Sequence, residues 1–163
     1  MNQLAAESAP YDVVAVDQTR DIELLQGVLS MWLRNGAMEE PEARRRLNEV
    51  ICVIRHIASG TVVGVSTAYV SLIPGVTKRI FLYRMFIDPA HRGKTHQNHI
   101  VSTTVEVLRQ RQHVDQTLGV VAILENHRVP DRLMLSLGWT NMNRFWKGNR
   151  LYCIPFGEQP VHS

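Results

Sequence analysis

Two hydrophobic periods alternate along this chain, and the switches between them mark its elements. Residues 12–16 form a short apolar run that reads as a first strand. Over 17–34, Ile22, Leu25, Val28, Leu29, Trp32 and Leu33 recur at helical spacing. Asn35-Gly36 ends that helix, because glycine takes the left-handed conformation without a Cβ clash. A second helix is predicted from Pro41, where the missing N–H costs nothing, to about Asn48. Ala43, Leu47 and Val50 lie on its inner side, with Arg44, Arg45 and Arg46 as a solvated face.

β-Branched runs over 50–58 and 62–73 flank Ser59-Gly60 and predict a hairpin, closed by Pro74-Gly75. A third arm covers 80–88. The helix expected from about Asn98 to Gln112 buries Ile100, Val101, Thr104, Val105 and Leu108, and Arg109 and Arg111 favour its C-terminal end. The apolar run 118–124 is too short for a helix and reads as a buried central strand. A short helix over 129–137 and strands over 139–145 and 150–156, around Lys147-Gly148-Asn149, complete the order β-α-α-β-β-β-α-β-α-β-β. Residues 1–11 and 157–163 read as tails on one domain, 12–156.

A chain of 163 residues with 45% apolar and 20% charged positions builds a core without disulfides or metal. Cys52 and Cys153 match no metal or redox spacing, so both are expected as buried free thiols in a reducing compartment. Residues 1–11 lack the basic start and apolar stretch of a secretory signal. No apolar run approaches the roughly 18 residues that span a bilayer. A soluble cytoplasmic protein is expected, without membrane contact.

The most informative segment is the strand that runs through Arg84 and Asp88 into the basic turn from Arg92 to Asn98. A strand feeding a basic turn at a helix start leaves backbone N–H groups unpaired beside positive charge, which suits a phosphate. The net charge of +3 fits an anionic small ligand and by itself does not argue for nucleic acid. His91, His96 and His99 gather at the turn, but no carboxylate or cysteine completes a ligand spacing, so no metal is expected. Arg84, inside an apolar strand, needs an anionic partner. A structural ion pair is the expectation, with a cleft-facing guanidinium as the alternative. Trp32, Trp139 and Trp146 read as core or rim aromatics.

Two segments carry a family likeness: Phe86-Ile87-Asp88-Pro89-Ala90-His91-Arg92-Gly93-Lys94, and Asn126 through Leu137-Gly138-Trp139. With the element order, they resemble the GNAT superfamily of N-acetyltransferases over nearly the whole domain. The resemblance implies an α/β (α+β) acyl-CoA N-acyltransferase fold, a mixed sheet of about seven strands flanked by about four helices. It implies acetyl-CoA, or another acyl-CoA, as co-substrate and direct attack by an amine on the thioester. Met85, Phe86 and Ile87 would flank the pantetheine arm. Arg92, Gly93, Lys94, Thr95, His96, Gln97 and Asn98 would cradle the pyrophosphate, and Asn126 matches the asparagine that opens the later helix. The chain departs from the family at Thr95 and Gln97, where small residues are usual, and at Met134, where a tyrosine often protonates the leaving thiolate.

An attacking ammonium must first lose a proton, so a base is needed near the V-shaped gap that the resemblance implies between the strands at 85–87 and 118–124. Glu125, at the end of the central strand, is the first choice, against a surface carboxylate. His127 titrates in the useful range, against an exposed histidine at a helix start. Tyr83 lies on the cofactor strand, against a packing aromatic. The acceptor would be a small-molecule or protein amine. A binding or regulatory module without turnover is the alternative, and a relative that modifies nucleic-acid bases is a third reading. Pairing of two chains is compatible with the sequence and not demanded by it.

Overall fold

A computed structural model describes residues 10–157, so the expected tails at 1–9 and 158–163 lie outside the described residues. Seven strands form one mixed sheet: β1 (Tyr11–Ala15), β2 (Val50–His56), β3 (Val62–Ser71), β4 (Ile80–Ile87), β5 (Gly119–Leu124), β6 (Thr140–Trp146) and β7 (Asn149–Pro155). Their spatial order is β1-β2-β3-β4-β5-β7-β6. All neighbours are antiparallel except β4 and β5. Four helices flank the sheet: α1 (Ile22–Arg34), α2 (Glu40–Arg46), α3 (Lys94–Asp115) and α4 (Asp131–Ser136). Tyr11, assigned to the tail, opens β1.

The apolar stripes sort into opposite faces. Ile100, Val101, Val105 and Leu108 of α3 pack with Ile54, Phe81 and Tyr83 on one face. Val28, Met31 and Trp32 of α1 and Ala43 of α2 pack with Val53 and Val65 on the other. A third cluster under β4, β5 and β7 contains Leu82, Val121 and Leu151. Both cysteines are free and buried, and burial pushes their thiol pKa values up.

Where boundaries differ from expectation, local hydrogen bonding accounts for it. Helix α1 starts at Ile22 rather than Asp17, because side chains hold the intervening turn. Asp17 Oδ1 accepts from the Thr19 amide at 2.9 Å, and Asp21 Oδ2 accepts from the Asp17 amide at 2.8 Å. Such bonds offer the backbone an alternative to the helix ladder. Strand β2 stops at His56, whose carbonyl accepts the Gly60 amide at 2.8 Å as the Ser59-Gly60 turn closes. Helix α4 is shorter than 129–137 because the Val129 amide donates to Asn126 O in a turn and Pro130 is the N-cap. The β6–β7 connection places Lys147 and Gly148 both at positive φ (51° and 79°), the twist that a two-residue hairpin requires.

Asp88 ties the end of α1 to the exit of β4. Its Oδ2 accepts from Arg34 Nη2 at 3.0 Å and Asn35 Nδ2 at 3.4 Å, and its Oδ1 caps the next turn by accepting the Ala90 amide at 3.0 Å. The residue is only 8% exposed. Asp88→Ala is expected to cost about 1–3 kcal/mol in urea unfolding at neutral pH. The Ala90 amide first, then Arg34, hold this carboxyl below its ordinary range. Its contribution is thus present above the unfolded value of about 4 and is lost as pH falls through the lower folded value. The gap between wild type and variant should narrow on acidification; a gap of constant size would contradict the assignment.

Candidate functional site

β3 follows β4 from Ser71↔Ile80 to Gly64↔Ile87. β5 follows it only through Phe81↔Val120, Leu82↔Val121 and Tyr83↔Ala122. Beyond Tyr83 the two parallel strands part. The edge of β4 from Arg84 onward has no ladder partner on that side, and such backbone groups need one when screened from water.

A cavity of about 480 Å³ opens at the fork and is lined from both faces of the sheet. Val101, Met134 and Trp139 wall one side, and Trp32, Met38 and Arg46 wall the other, so the space runs through the sheet. Its size is in the ordinary range for small-ligand sites, roughly 300–1,000 Å³. Asp131, at the start of α4, braces the Met134 wall by accepting from Tyr152 Oη at 2.7 Å and Asn141 Nδ2 at 2.9 Å.

Of the residues expected to flank a pantetheine arm, Met85 and Phe86 line this cavity; Ile87 is buried behind it. Asn126 lines it as well, with its Oδ1 accepting from the Arg128 amide at 3.1 Å. Arg92 to Asn98 lie past the cavity's lining, at the helix start. That helix begins at Lys94, not near Asn98, so the expected loop is the first turn of α3 itself. Gly93 is the N-cap, in extended backbone with no side chain capping the turn. Thr95 is inside the helix and exposed, so it is not the cap. The Gln97 amide donates to Gly93 O at 3.2 Å. The amides of Lys94, Thr95 and His96 precede that bond and have no acceptor within the helix. A helix of 22 residues adds its dipole, and together these favour an anion.

Gly93 is required by its neighbour. A Cβ there would lie 2.6 Å from His96 Cε1. The His96 ring folds back, donates from Nε2 to His91 O, and stacks on Tyr11 with centroids 4.3 Å apart. The Tyr11 hydroxyl and His91 Nδ1 share a hydrogen bond of 3.0 Å. The third histidine of this cluster is His56, 5.4 Å from His91 between ring centroids; His99, expected in the group, is exposed elsewhere. Among the described residues no group of three or more histidine, cysteine or acidic side chains is placed to hold a metal. Arg92 is exposed, and its Nε donates to Ile87 O at 3.4 Å.

The three proposed catalytic side chains separate. Glu125 lines the cavity and is exposed to solvent. His127 stands outside it, its Nε2 3.0 Å from Asn149 Oδ1. Tyr83 contributes to the lining, but its hydroxyl is closed off in the core with no hydrogen-bond partner among the described residues. Burial first, and then the Cys52 thiol, push its pKa far up. The ring packs on Trp139 with centroids 5.3 Å apart, so Tyr83 is a packing group rather than a base.

Arg84 also departs from expectation. Among the described residues no carboxylate lies within ion-pair distance of it, and the guanidinium lines the cavity. The far wall, with Trp32, Met38 and Arg46, was not anticipated as part of a site. Periodicity placed Trp32 on a buried face, and no local signal shows that this face abuts a gap in the sheet.

No protein-family model and no curated protein sequence matches the chain. Solved structures do. A ribosomal-protein-S5-alanine acetyltransferase from Vibrio fischeri superposes with a TM-score of 0.62 at 13% identity, over 94% of this chain and 98% of that one. The putative acetyltransferase yncA from Salmonella typhimurium, solved with its cofactor acetyl-CoA, gives 0.58 at 17% identity, over 93% and 96%. A mutant of the toxin AtaT, bound to acetyl-CoA and the C-terminus of the antitoxin AtaR, gives 0.61 at 14%, over 91% and 94%. The chain has the GNAT acetyltransferase fold.

A buried hydroxyl without a partner is a cost that phenylalanine removes. Tyr83→Phe is expected to raise stability by about 1 kcal/mol in urea unfolding. A loss of stability would show that the hydroxyl has a partner in solution.

Proposed function

We propose that this chain moves an acyl group, acetyl in the first instance, from coenzyme A to an amine by direct attack. The observation that carries the reading is the fork between β4 and β5, opening onto a cavity that crosses the sheet. A pantetheine arm has amides along its length, and the unpaired edge of β4 beyond Tyr83 offers it a strand's hydrogen bonds. The diphosphate would fall to the free amides of Lys94, Thr95 and His96 at the start of α3. The acceptor would enter from the opposite mouth, between Met38 and Arg84.

The chemistry asks little of the protein beyond positioning and one proton transfer. Glu125, directly or through a water, takes the proton from the attacking ammonium. The amine nitrogen bonds to the thioester carbonyl carbon, the C–S bond breaks, and the sulfur leaves as thiolate. A thiolate of pKa about 8.5 leaves near neutral pH without a strong acid beside it. That fits a site with Met134 buried on its wall and the Tyr83 hydroxyl sealed in the core.

Binding and turnover are tested separately. Acetyl-CoA at a hundred times its Kd should stabilise the fold by about 2.7 kcal/mol, read as a rise in Tm. Lys94→Ala removes only a charge, whereas Lys94→Pro also removes an amide at a position where proline does not break the helix. The proline variant should lose more of the acetyl-CoA shift than the alanine variant. Equal losses would take the Lys94 amide out of the binding site. Thioester consumption with an amine panel then reads turnover, and Glu125→Gln should lower kcat by about 10²-fold or more. Full ligand stabilisation with no transfer to any amine would favour a binding module.

A further inference from the structure

Arg84 lines this cavity with no carboxylate within ion-pair distance among the described residues. Its strand is apolar: Leu82 before it is buried, and Phe86 beyond it packs in the α1–α2 cluster. Its guanidinium carries five N–H donors. Among the described residues these find one long contact, Nη2 to the Tyr69 hydroxyl at 3.4 Å, and the face of the Tyr69 ring, 5.4 Å from its centroid. Arg144 and Arg150, on β6 and β7, donate instead to the carbonyls of Gly75 and Val129, and three arginines of the β1–β4 side have carboxylate partners. Arg46 bonds Glu42 at 2.7 Å, Arg55 bonds Asp12 at 2.7 Å, and Arg34 bonds Asp88 at 3.0 Å. A half-buried cation on an apolar strand is costly unless an anion meets it.

The diphosphate of the acyl donor is not that anion. Side chains alternate along β4, and Tyr83 and Met85 pack with the cluster of α3, whose first turn is the anion site proposed above. Arg84 projects to the other face, beside Thr67, its register partner on β3, and Tyr69. That is the mouth assigned to the acceptor. Glu125 faces the same cavity from the end of β5. Arg84 lies one residue beyond the last pair, Tyr83↔Ala122, and Glu125 just past the end of β5, so the cavity presents a cation and a carboxylate from the two arms of the fork. That pairing of charges suits a molecule that carries both an ammonium and an oxyanion.

Resting on the acyltransfer reading, we infer that the acceptor is a small amine that also carries an oxyanion, a carboxylate or phosphonate, held by Arg84 while its amine meets Glu125. Uncharged amines and polyamines lack the group that Arg84 is placed to bind.

The test measures binding by calorimetry on the whole chain, with and without coenzyme A, and transfer separately. The probes are α-, β- and γ-amino acids, each beside its carboxamide and its aminophosphonate counterpart. At least one acid should bind about tenfold or more tighter than its amide, the worth of a charge-assisted hydrogen bond. The phosphonate arm tells which oxyanion is preferred. Arg84→Gln should bring acid and amide within about twofold of each other while leaving the acetyl-CoA melting shift intact. Arg84→Lys, which keeps the charge but loses the planar fork, should retain part of the preference. The inference is overturned if no acid outbinds its amide on the wild type, or if the preference survives in Arg84→Gln. Acids that bind as expected but are not acetylated, while another amine is, would overturn the inference; acids that bind while no amine at all is acetylated would defeat the acyltransfer reading and leave the anion site standing.

Discussion

The parting of two parallel strands in mid-sheet is the constraint on which the site depends. Three residue pairs hold β4 to β5, and beyond Tyr83↔Ala122 their facing edges are out of reach of each other. Each strand stays anchored on its outer side, β4 by β3 along its whole length and β5 by β7 from Gly119↔Pro155 to Leu124↔Arg150. Each arm of the fork is therefore paired on its outer edge although the fork is open. Among the described residues the facing edges within it have no ladder partner, which is the condition under which an extended ligand adds itself as a strand.

Packing around the fork keeps it from closing. Trp139 and Met134 fill one side against the Tyr83 ring, and Asp131 fastens the helix that carries Met134 through Tyr152 and Asn141. On the other side α1 and its connection to α2 bring Trp32 and Met38 over the gap, and Asp88 locks the end of α1 to the exit of β4. The start of α3 is held by a different set: Gly93 yields its side-chain space to His96, and His96 leans on Tyr11 and the His91 carbonyl. Two anchors thus fix the cavity and the helix start separately, so side-chain changes at Thr95 and Gln97 leave the backbone amides where they are.

Much of the fold was legible in the chain because it rests on periodicity. The α1 stripe from Ile22 to Leu33, the β2–β3 hairpin around Ser59-Gly60 and the buried run of β5 are all local signals that packing later used. Errors fell where polar side chains compete with the backbone, as at Asp17 and Asp21, or where a helix extends through polar residues, as at Lys94 to Gln97. Of the residues singled out in the sequence, Met85, Phe86, Glu125 and Asn126 line the cavity, at or next to the ends of β4 and β5. For Tyr83 and His127 the sequence left a catalytic and a structural reading side by side, because it carries no information on whether a hydroxyl is sealed in a core or a ring is tied to Asn149.

By itself the sequence determined which segments become strands and helices, and that a basic turn precedes the longest of the helices. Those properties follow from side-chain periodicity and backbone preference within a few residues. Only the tertiary structure decided that β4 and β5 separate after Ala122, that Trp32 and Met38 complete a cavity from the far face, and that among the described residues no carboxylate lies within ion-pair distance of Arg84. Those properties depend on which distant residues meet, and a charge shows whether it is paired only when every element packed against it is in place.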